Sequence, residues 1–170
     1  IELDGCSISS NGTISPIQYT ASGINETMLI TNCSFSCTGL TGISSIISYK
    51  SDHKGKIAVY DSSFSNSTNT TTIQFGEDEA VPTNTTFTAD FRNNSVSYTS
   101  GFSGHAVLLG RGSNKIYIVN NTISVPSTSN SLAIGFVMKT TATAVNDAYI
   151  AGNLVTAPRP FYFKGAQNLV

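Results

Sequence analysis

The sequence predicts an all-β protein whose chain coils back on itself, so that equivalent strands stack in parallel. The main observation is a short pattern of residues that recurs at intervals of 27, 29, 32, 27 and 32 residues. Each copy contains one apolar residue that we call the anchor. The six anchors are Ile8, Phe35, Phe64, Val96, Ile123 and Val155. A fixed pattern with a period of this size is typical of repeat proteins whose copies pack against one another.

Two apolar columns precede the anchors and predict a strand in every copy. Five residues before the anchors stand Leu3, Ile30, Val59, Phe91, Ile118 and Ile150. Seven residues before them stand Ile1, Met28, Ile57, Ala89, Ile116 and Ala148. A spacing of two places both columns on one face of a strand. The intervals are too long for a hairpin and show no helical pattern, so each copy should complete one coil.

A polar column predicts a corner in each coil. Three residues before the anchors stand Gly5, Asn32, Asp61, Asn93, Asn120 and Gly152. Glycine, asparagine and aspartate tolerate a left-handed backbone best, which is typical of a bend at a fixed place. The next column contains Cys6, Cys33, Ser62, Asn94, Asn121 and Asn153. We expect its three asparagines to stack and to form hydrogen bonds from amide to amide.

A second strand follows the anchors with a less regular register. Nine and eleven residues after their anchors stand Ile17 and Tyr19, Ile73 and Phe75, and Leu132 and Ile134. In two other copies the eleventh position is occupied by Ile46 and Val107, and the ninth by Ser44 and His105. A shift of one residue would instead use Ile43, Ile47, Ala106 and Leu108. The sequence therefore predicts the faces of the first strand and leaves those of the second open.

Units such as ITNCSFS, FRNNSVS and VNNTISV resemble the right-handed parallel β-helix superfamily, which includes pectate lyases, phage tailspikes and adhesin passengers. The resemblance extends over essentially all 170 residues. It implies a right-handed parallel β-helix, a solenoid of about six coils, as a single domain over residues 1–170. Because the strand pattern is already under way at Ile1, we expect a processed chain or a segment of a longer protein.

Composition limits the partners and the location. Charged residues make up 11% of the chain and the net charge is -1, which gives no electrostatic case for nucleic acid or an anionic membrane. No apolar run approaches the ~18 residues of a membrane span. A weakly charged surface rich in serine, threonine and asparagine is common on secreted, cell-surface and virion proteins, so we expect an extracellular location.

The outward face of the first strand contains the candidate ligand-binding residues. We expect Tyr117 and Tyr149 to stack one coil apart, with Tyr60, Asp90 and Arg92 beside them. Aromatic faces with hydrogen-bonding groups at their edge suit sugar rings or a protein partner. An equally weighted alternative is that the tyrosines only stabilise the sheet as neighbours across strands.

The sequence predicts no catalytic residues, no metal ligands and no cofactor. Glycoside hydrolysis needs two carboxylates roughly 5 to 9.5 Å apart. Asp4 and Asp90 are three coils apart, roughly 14 Å by strand spacing. The favoured function is therefore recognition or adhesion toward a glycan, a cell-surface polysaccharide or a surface protein. The alternatives are part of a polysaccharide-degrading tailspike or lyase with catalytic residues elsewhere, and a passive stalk. Resemblance to phage relatives implies a homotrimer.

The cysteines allow two interpretations. Cys6 and Cys33 fall in the same column of adjacent coils, where a disulfide could join them. The odd third cysteine, Cys37, favours buried thiols instead.

The remaining polar residues predict little chemistry. His53 and the acidic residues 77–79 are expected in solvated loops, and His105 in a structural position. Eight Asn-X-Ser/Thr sequons occur. Of these, Asn66, Asn69 and Asn84 fall in expected loops, so they are the predicted acceptors in a glycosylating host.

Overall fold

In the computed structural model the chain forms strands, and no helix occurs among the described residues. The structure describes residues 1–21, 26–38, 45–51, 55–66, 71–75, 86–99, 104–109, 113–126, 131–137, 146–164 and 168–169. In chain order, the strands are β1 (Glu2–Asp4), β2 (Ser7–Ser10), β3 (Ile17–Ala21), β4 (Glu26–Thr31), β5 (Ser34–Cys37), β6 (Ser45–Ser51), β7 (Gly55–Tyr60), β8 (Ser63–Asn66), β9 (Thr71–Phe75), β10 (Thr86–Arg92), β11 (Ser95–Tyr98), β12 (Gly104–Leu109), β13 (Ser113–Val119), β14 (Thr122–Ser124), β15 (Ser131–Val137), β16 (Asn146–Ala151), β17 (Leu154–Thr156), β18 (Arg159–Lys164) and β19 (Asn168–Leu169).

These strands form three sheets in a repeating order. Sheet A contains β1, β4, β7, β10, β13, β16 and β19, sheet B contains β2, β5, β8, β11, β14 and β17, and sheet C contains β3, β6, β9, β12, β15 and β18. Each described pair of neighbouring strands is parallel. We call three consecutive strands, one from each sheet, a rung. The predicted all-β class and the parallel pairing are confirmed.

The apolar columns of the first strand lie in register across sheet A. Leu3 pairs with Ile30, Ile30 with Val59, and Phe91 with both Val59 and Ile118. Residues in the middle rungs are fully buried, whereas Leu3 at the edge is partly buried. One apolar cluster contains residues from all three sheets, so the sheets share a single core.

The anchors form strands of their own, which the sequence analysis did not separate from the preceding strand. In β5 and β8 buried and exposed residues alternate, and the anchors Phe35 and Phe64 point into the core. Their rings stack with centroids 4.7 Å apart and an angle of 3° between the planes. Burying a phenylalanine side chain contributes about 1.5–3 kcal/mol. Each rung therefore has three strands where the sequence predicted two.

The second predicted strand forms sheet C, and its register follows no constant distance from the anchor. The paired residues are Ile17, Ile47, Ile73, Val107, Ile134 and Phe161. Of the two registers that the sequence left open for this rung, the one with Ile47 in the column occurs, and Ile46 beside it is also fully buried. Segments between sheet B and sheet C strands range from residues 157–158 to residues 38–44, so a fixed offset cannot hold.

The predicted corner column adopts the left-handed backbone. Among the described residues, positive φ angles of 51° to 64° occur at Gly5, Asn32, Asp61, Asn93, Asn120 and Gly152. At Gly152 a Cβ atom would lie 2.1 Å from Oδ1 of Asn120, so a larger residue there would require the Asn120 side chain to move. The corner prediction is confirmed at all six positions.

The predicted asparagine ladder is present, and it binds backbone as well as side chains. Asn94 Nδ2 donates to Asn121 Oδ1 at 3.2 Å, and Asn121 Nδ2 donates to Asn153 Oδ1 at 2.9 Å. The backbone N–H of Asn94 donates to the same Asn121 Oδ1 at 2.9 Å. Asn121 Nδ2 also donates to the carbonyl of Phe91 at 2.9 Å. Each ladder residue therefore satisfies polar backbone groups of the preceding rung inside the core.

Replacing Asn121 with alanine should destabilise the protein by about 2–4 kcal/mol. The buried N–H of Asn94 and the carbonyl of Phe91 lose their partners, and each unsatisfied group costs about 1–3 kcal/mol. Urea unfolding would measure the change. The matched control is Asn120→Gly at the adjacent exposed corner, where glycine suits the backbone and the change should stay within about 0.5 kcal/mol. Equal effects of the two substitutions would contradict the ladder's role.

Ser62→Asn should extend the ladder by one rung and stabilise the protein by about 1 kcal/mol. Ser62 already accepts the N–H of Cys33 at 3.1 Å, and its own N–H donates to Asn94 Oδ1 at 3.0 Å. An asparagine amide would keep the first bond and add a donor toward Asn94. Thermal unfolding would compare this variant with Ser63→Asn, at the neighbouring exposed position. A lower melting temperature for Ser62→Asn would show that the larger side chain does not fit.

Candidate functional site

The five predicted ligand-binding residues lie on four neighbouring strands of sheet A. They are Tyr60 in β7, Asp90 and Arg92 in β10, Tyr117 in β13 and Tyr149 in β16. In the strand register, Tyr60 pairs with Arg92, Asp90 with Tyr117, and Tyr117 with Tyr149. Residues between them along the strands, such as Phe91 and Ile118, point into the core. The five side chains therefore share the outward face, and we call this set the sheet A patch.

Asp90 is the centre of the patch and is 5% exposed. Its Oδ2 accepts a hydrogen bond from the Tyr60 hydroxyl at 2.8 Å, and its Oδ1 accepts one from Arg92 Nε. The Arg92 contact is also the one ion pair found among the described residues. Since both of its carboxylate oxygens accept hydrogen bonds, the buried Asp90 is placed to orient the side chains of Tyr60 and Arg92.

The surroundings of Tyr60 keep its hydroxyl protonated. Burial, together with the hydrogen bond to Asp90 and the charge of that carboxylate, raises the pKa of Tyr60 to about 12. The hydrogen bond to Asp90 likewise raises the pKa of Arg92 above its usual value. At neutral pH Tyr60 therefore contributes a neutral phenol that donates a hydrogen bond to Asp90, and Arg92 contributes a permanent cation.

Arg92 connects the polar and aromatic parts of the patch. Its guanidinium carbon lies 5.3 Å from the centroid of the Tyr117 ring, within the distance of a cation–π contact. The Arg92 side chain is 42% exposed. Because Nε is directed at Asp90, the two terminal nitrogens are the groups that remain for a ligand. The edge of the patch thus presents hydrogen-bond donors.

The two outer tyrosines are neighbours but differ in their packing. Tyr117 is half-buried, whereas Tyr149 is 52% exposed. Their two rings do not stack on each other, although Tyr117 and Tyr149 are paired in the register of β13 and β16. The Tyr117 ring packs against Arg92 instead. Tyr149 is therefore the most accessible aromatic side chain of the patch.

Asp90 is the one carboxylate among the five residues of the patch, so the patch lacks the pair of carboxylates that glycoside hydrolysis needs. Asp4 lies in β1, three strands away from Asp90 in the order of sheet A. Its Oδ1 accepts hydrogen bonds from Thr31 Oγ1 at 2.6 Å and Asn32 Nδ2 at 3.0 Å, which lower the pKa of Asp4. Among the described residues, no group of three histidine, cysteine, aspartate or glutamate side chains could hold a metal ion. The arrangement suits binding through stacking and hydrogen bonds.

Sheet B presents a second outward face that consists almost wholly of hydroxyl groups. Its two exposed columns are Ser7, Ser34, Ser63, Ser95, Thr122 and Leu154, and Ser9, Ser36, Ser65, Ser97, Ser124 and Thr156. In the sequence these columns lie one residue before and one residue after the anchors. They form a common outward face only because the anchors lie in a strand, in which neighbouring residues point to opposite sides. With neither charge nor aromatic rings, this face offers a ligand less than the sheet A patch does.

The structure also gives the positions of the glycosylation sequons and of the cysteines. The prediction that Asn66 is a loop acceptor is wrong, because Asn66 lies in β8 with 0% exposure and alternation directs its side chain inward. Asn32, Asn93 and Asn120 are exposed at the corners. No disulfide joins the three cysteines in the structure; Cys33 and Cys37 are buried, and Cys6 is half-buried.

Several predicted positions lie outside the described residues. They are His53, the acidic residues 77–79, Asn69 and Asn84. His105 belongs to β12, where the structure describes the backbone pairing.

Comparisons of the chain with protein-family models, with curated proteins and with solved structures found no match. None of the described segments forms a helix with the length and apolar character needed to cross a membrane. The residues of the sheet A patch are therefore the basis for assigning a function.

Asp90→Ala should destabilise the protein by about 1–3 kcal/mol. The substitution leaves the Tyr60 hydroxyl and the Arg92 guanidinium without their shared acceptor in a part-buried position. Asp147→Ala is the control, since Asp147 is exposed on β16 and belongs to no ion pair among the described residues. Urea unfolding should show a change within about 0.5 kcal/mol for the control. Similar losses for both variants would show that Asp90 does not organise the patch.

Proposed function

We propose that this protein is a right-handed parallel β-helix that acts as an extracellular recognition or adhesion module for carbohydrate. The observation that supports the binding role is the sheet A patch, in which Asp90 orients Arg92 beside Tyr117 and Tyr149 is accessible. The extracellular location, whether secreted, cell-surface or virion-borne, is favoured by a surface poor in charge and rich in hydroxyl groups.

The order of the strands supports the helical fold. The chain passes from sheet A to sheet B to sheet C in each rung and then returns to sheet A beside its previous strand. Residues of all three sheets contribute to one apolar cluster, which a chain wound around a common interior would produce. Crossover connections between parallel strands of one sheet are right-handed in about 98% of cases. These features favour a right-handed solenoid of six rungs.

The chemistry of the patch favours a sugar ring. Tyr149 offers an exposed aromatic face for the apolar side of a pyranose, and an amphipathic ring of this kind suits such a surface. The terminal nitrogens of Arg92 would donate to ring or hydroxyl oxygens at the edge of the sugar. Asp90 would contribute indirectly, by holding the guanidinium beside the Tyr117 ring. The proposed ligand therefore presents an apolar ring face together with acceptor oxygens.

A glycan array and substitutions in the patch test this proposal. The wild-type protein should bind a defined subset of glycans, and Tyr149→Ala should weaken that binding about tenfold, the equivalent of about 1.4 kcal/mol. Arg92→Gln should weaken it similarly, because the charged donors are lost. Leu154→Ala removes an exposed apolar side chain from the outward face of sheet B and should leave binding unchanged. An array without binding, or binding that survives both patch substitutions, would contradict the proposed function.

A further inference from the structure

Cys6 and Cys33 occupy the same place in two neighbouring rungs. Each lies between a sheet A strand and a sheet B strand, and the backbone is paired on both sides of them. Asp4 pairs with Thr31 before the cysteines, and Ser34 N donates to the carbonyl of Cys6 at 2.8 Å after them. Their Cα atoms are therefore about one strand spacing apart, roughly 4.8 Å. This separation lies within the range of about 4.4–6.8 Å that a disulfide spans.

The two thiols point toward the same seam between the rungs. Cys33 Sγ donates to the carbonyl of Leu3 in the first rung at 3.6 Å and to that of Thr31 in its own rung at 3.1 Å. Cys6 Sγ donates to the carbonyl of Asp4 at 3.6 Å. The third cysteine differs, because Cys37 has Ser10 and Asn66 as its register partners. One pair of cysteines is therefore aligned, and the third has no cysteine opposite it.

We propose that Cys6 and Cys33 are a site of reversible covalent modification, at which a small-molecule disulfide such as oxidised glutathione cross-links the first two rungs. The Cys6 thiolate attacks one sulfur of the oxidant, which forms a mixed disulfide and releases one thiol. The Cys33 thiolate then attacks the Cys6 sulfur and releases the second thiol. The two cysteines lose two electrons and two protons in total, and the oxidant gains them as two thiols.

Accessibility determines the order of the two steps. Cys6 is half-buried, whereas Cys33 is 2% exposed. Burial also raises the pKa of the Cys33 thiol. Because the thiolate is the nucleophile and the oxidant approaches from solvent, Cys6 reacts first and Cys33 resolves the mixed disulfide. Strands β1 and β2, which lie at the edges of sheets A and B, would then be tied to β4 and β5.

Peptide mass spectrometry of the folded wild-type protein after incubation with oxidised glutathione tests the proposal. We expect a loss of two hydrogens, a cross-linked peptide pair containing Cys6 and Cys33, and a Cys37 that is alkylated after unfolding. Hydrogen exchange of β1 and β2 should slow on oxidation and recover on reduction. A protein that remains reduced, stops at glutathionylated Cys6, or forms a cross-link through Cys37 would overturn the proposal.

Two single substitutions separate the steps. Cys33→Ser should accumulate glutathione on Cys6, since the resolving thiol is missing. Serine occupies the equivalent place in the next rung at Ser62, so the fold should tolerate it, and unfolding curves of the reduced variant would check this. Cys6→Ser should take up little glutathione while folded, because Cys33 is buried. Equal glutathionylation of the two variants would contradict the assigned order.

Discussion

Every rung of this protein bends at the equivalent position of the repeat, and the shared core depends on the alignment of these corners. Side chains of one rung can contact those of the next only where the corners align, because a displacement of one residue along a strand reverses the face of every side chain. The left-handed backbone at positions such as Asn93 and Gly152 sets the bend. The ladder from Asn94 to Asn153 then binds the N–H groups just beyond it. Conformation and hydrogen bonding thus enforce one register.

The column beyond the corner performs one task with three kinds of residue. Its asparagines accept the N–H of the preceding rung and donate to a carbonyl there. The Ser62 hydroxyl accepts the N–H of Cys33 in the preceding rung and donates to the carbonyl of Tyr60 in its own rung. In the first rungs the column contains cysteines, whose thiols donate to nearby carbonyls. The change in residue type keeps the backbone satisfied but changes the available chemistry. Amide groups form a continuous ladder, whereas two adjacent thiols offer a site for oxidation.

The sheet A patch depends on the same register. Asp90 can accept from Tyr60 because β7 and β10 are neighbours, and Arg92 reaches Tyr117 because β13 follows on the other side. Residues next to them along the strands, such as Phe91 and Ile118, are buried in the core, so the patch lies on a sheet whose other face is packed.

The sequence by itself determined the repeat, the corner at all six positions, the faces of sheet A and the asparagine ladder. These features repeat at constant offsets, because the geometry of one strand, one corner and the next strand allows no insertion. For the candidate site, the sequence could predict which residues belong to it but not how they contact one another. Alternation along a strand assigns each residue to a face, and the outward face contains Tyr60, Asp90, Arg92, Tyr117 and Tyr149.

Tertiary structure decided everything that depends on contacts between rungs and on variable connections. It showed that the anchors form a separate sheet and that Ile47, not Ile46, pairs with Ile17 and Ile73 in sheet C, because the length of the segment before each sheet C strand varies. It showed that both oxygens of Asp90 are engaged and that Tyr117 packs on Arg92 in place of Tyr149. It also placed Asn66 inside the core. Side-chain partners of this kind follow from the relative position of neighbouring strands. This position cannot be derived from the spacing of residues within one strand.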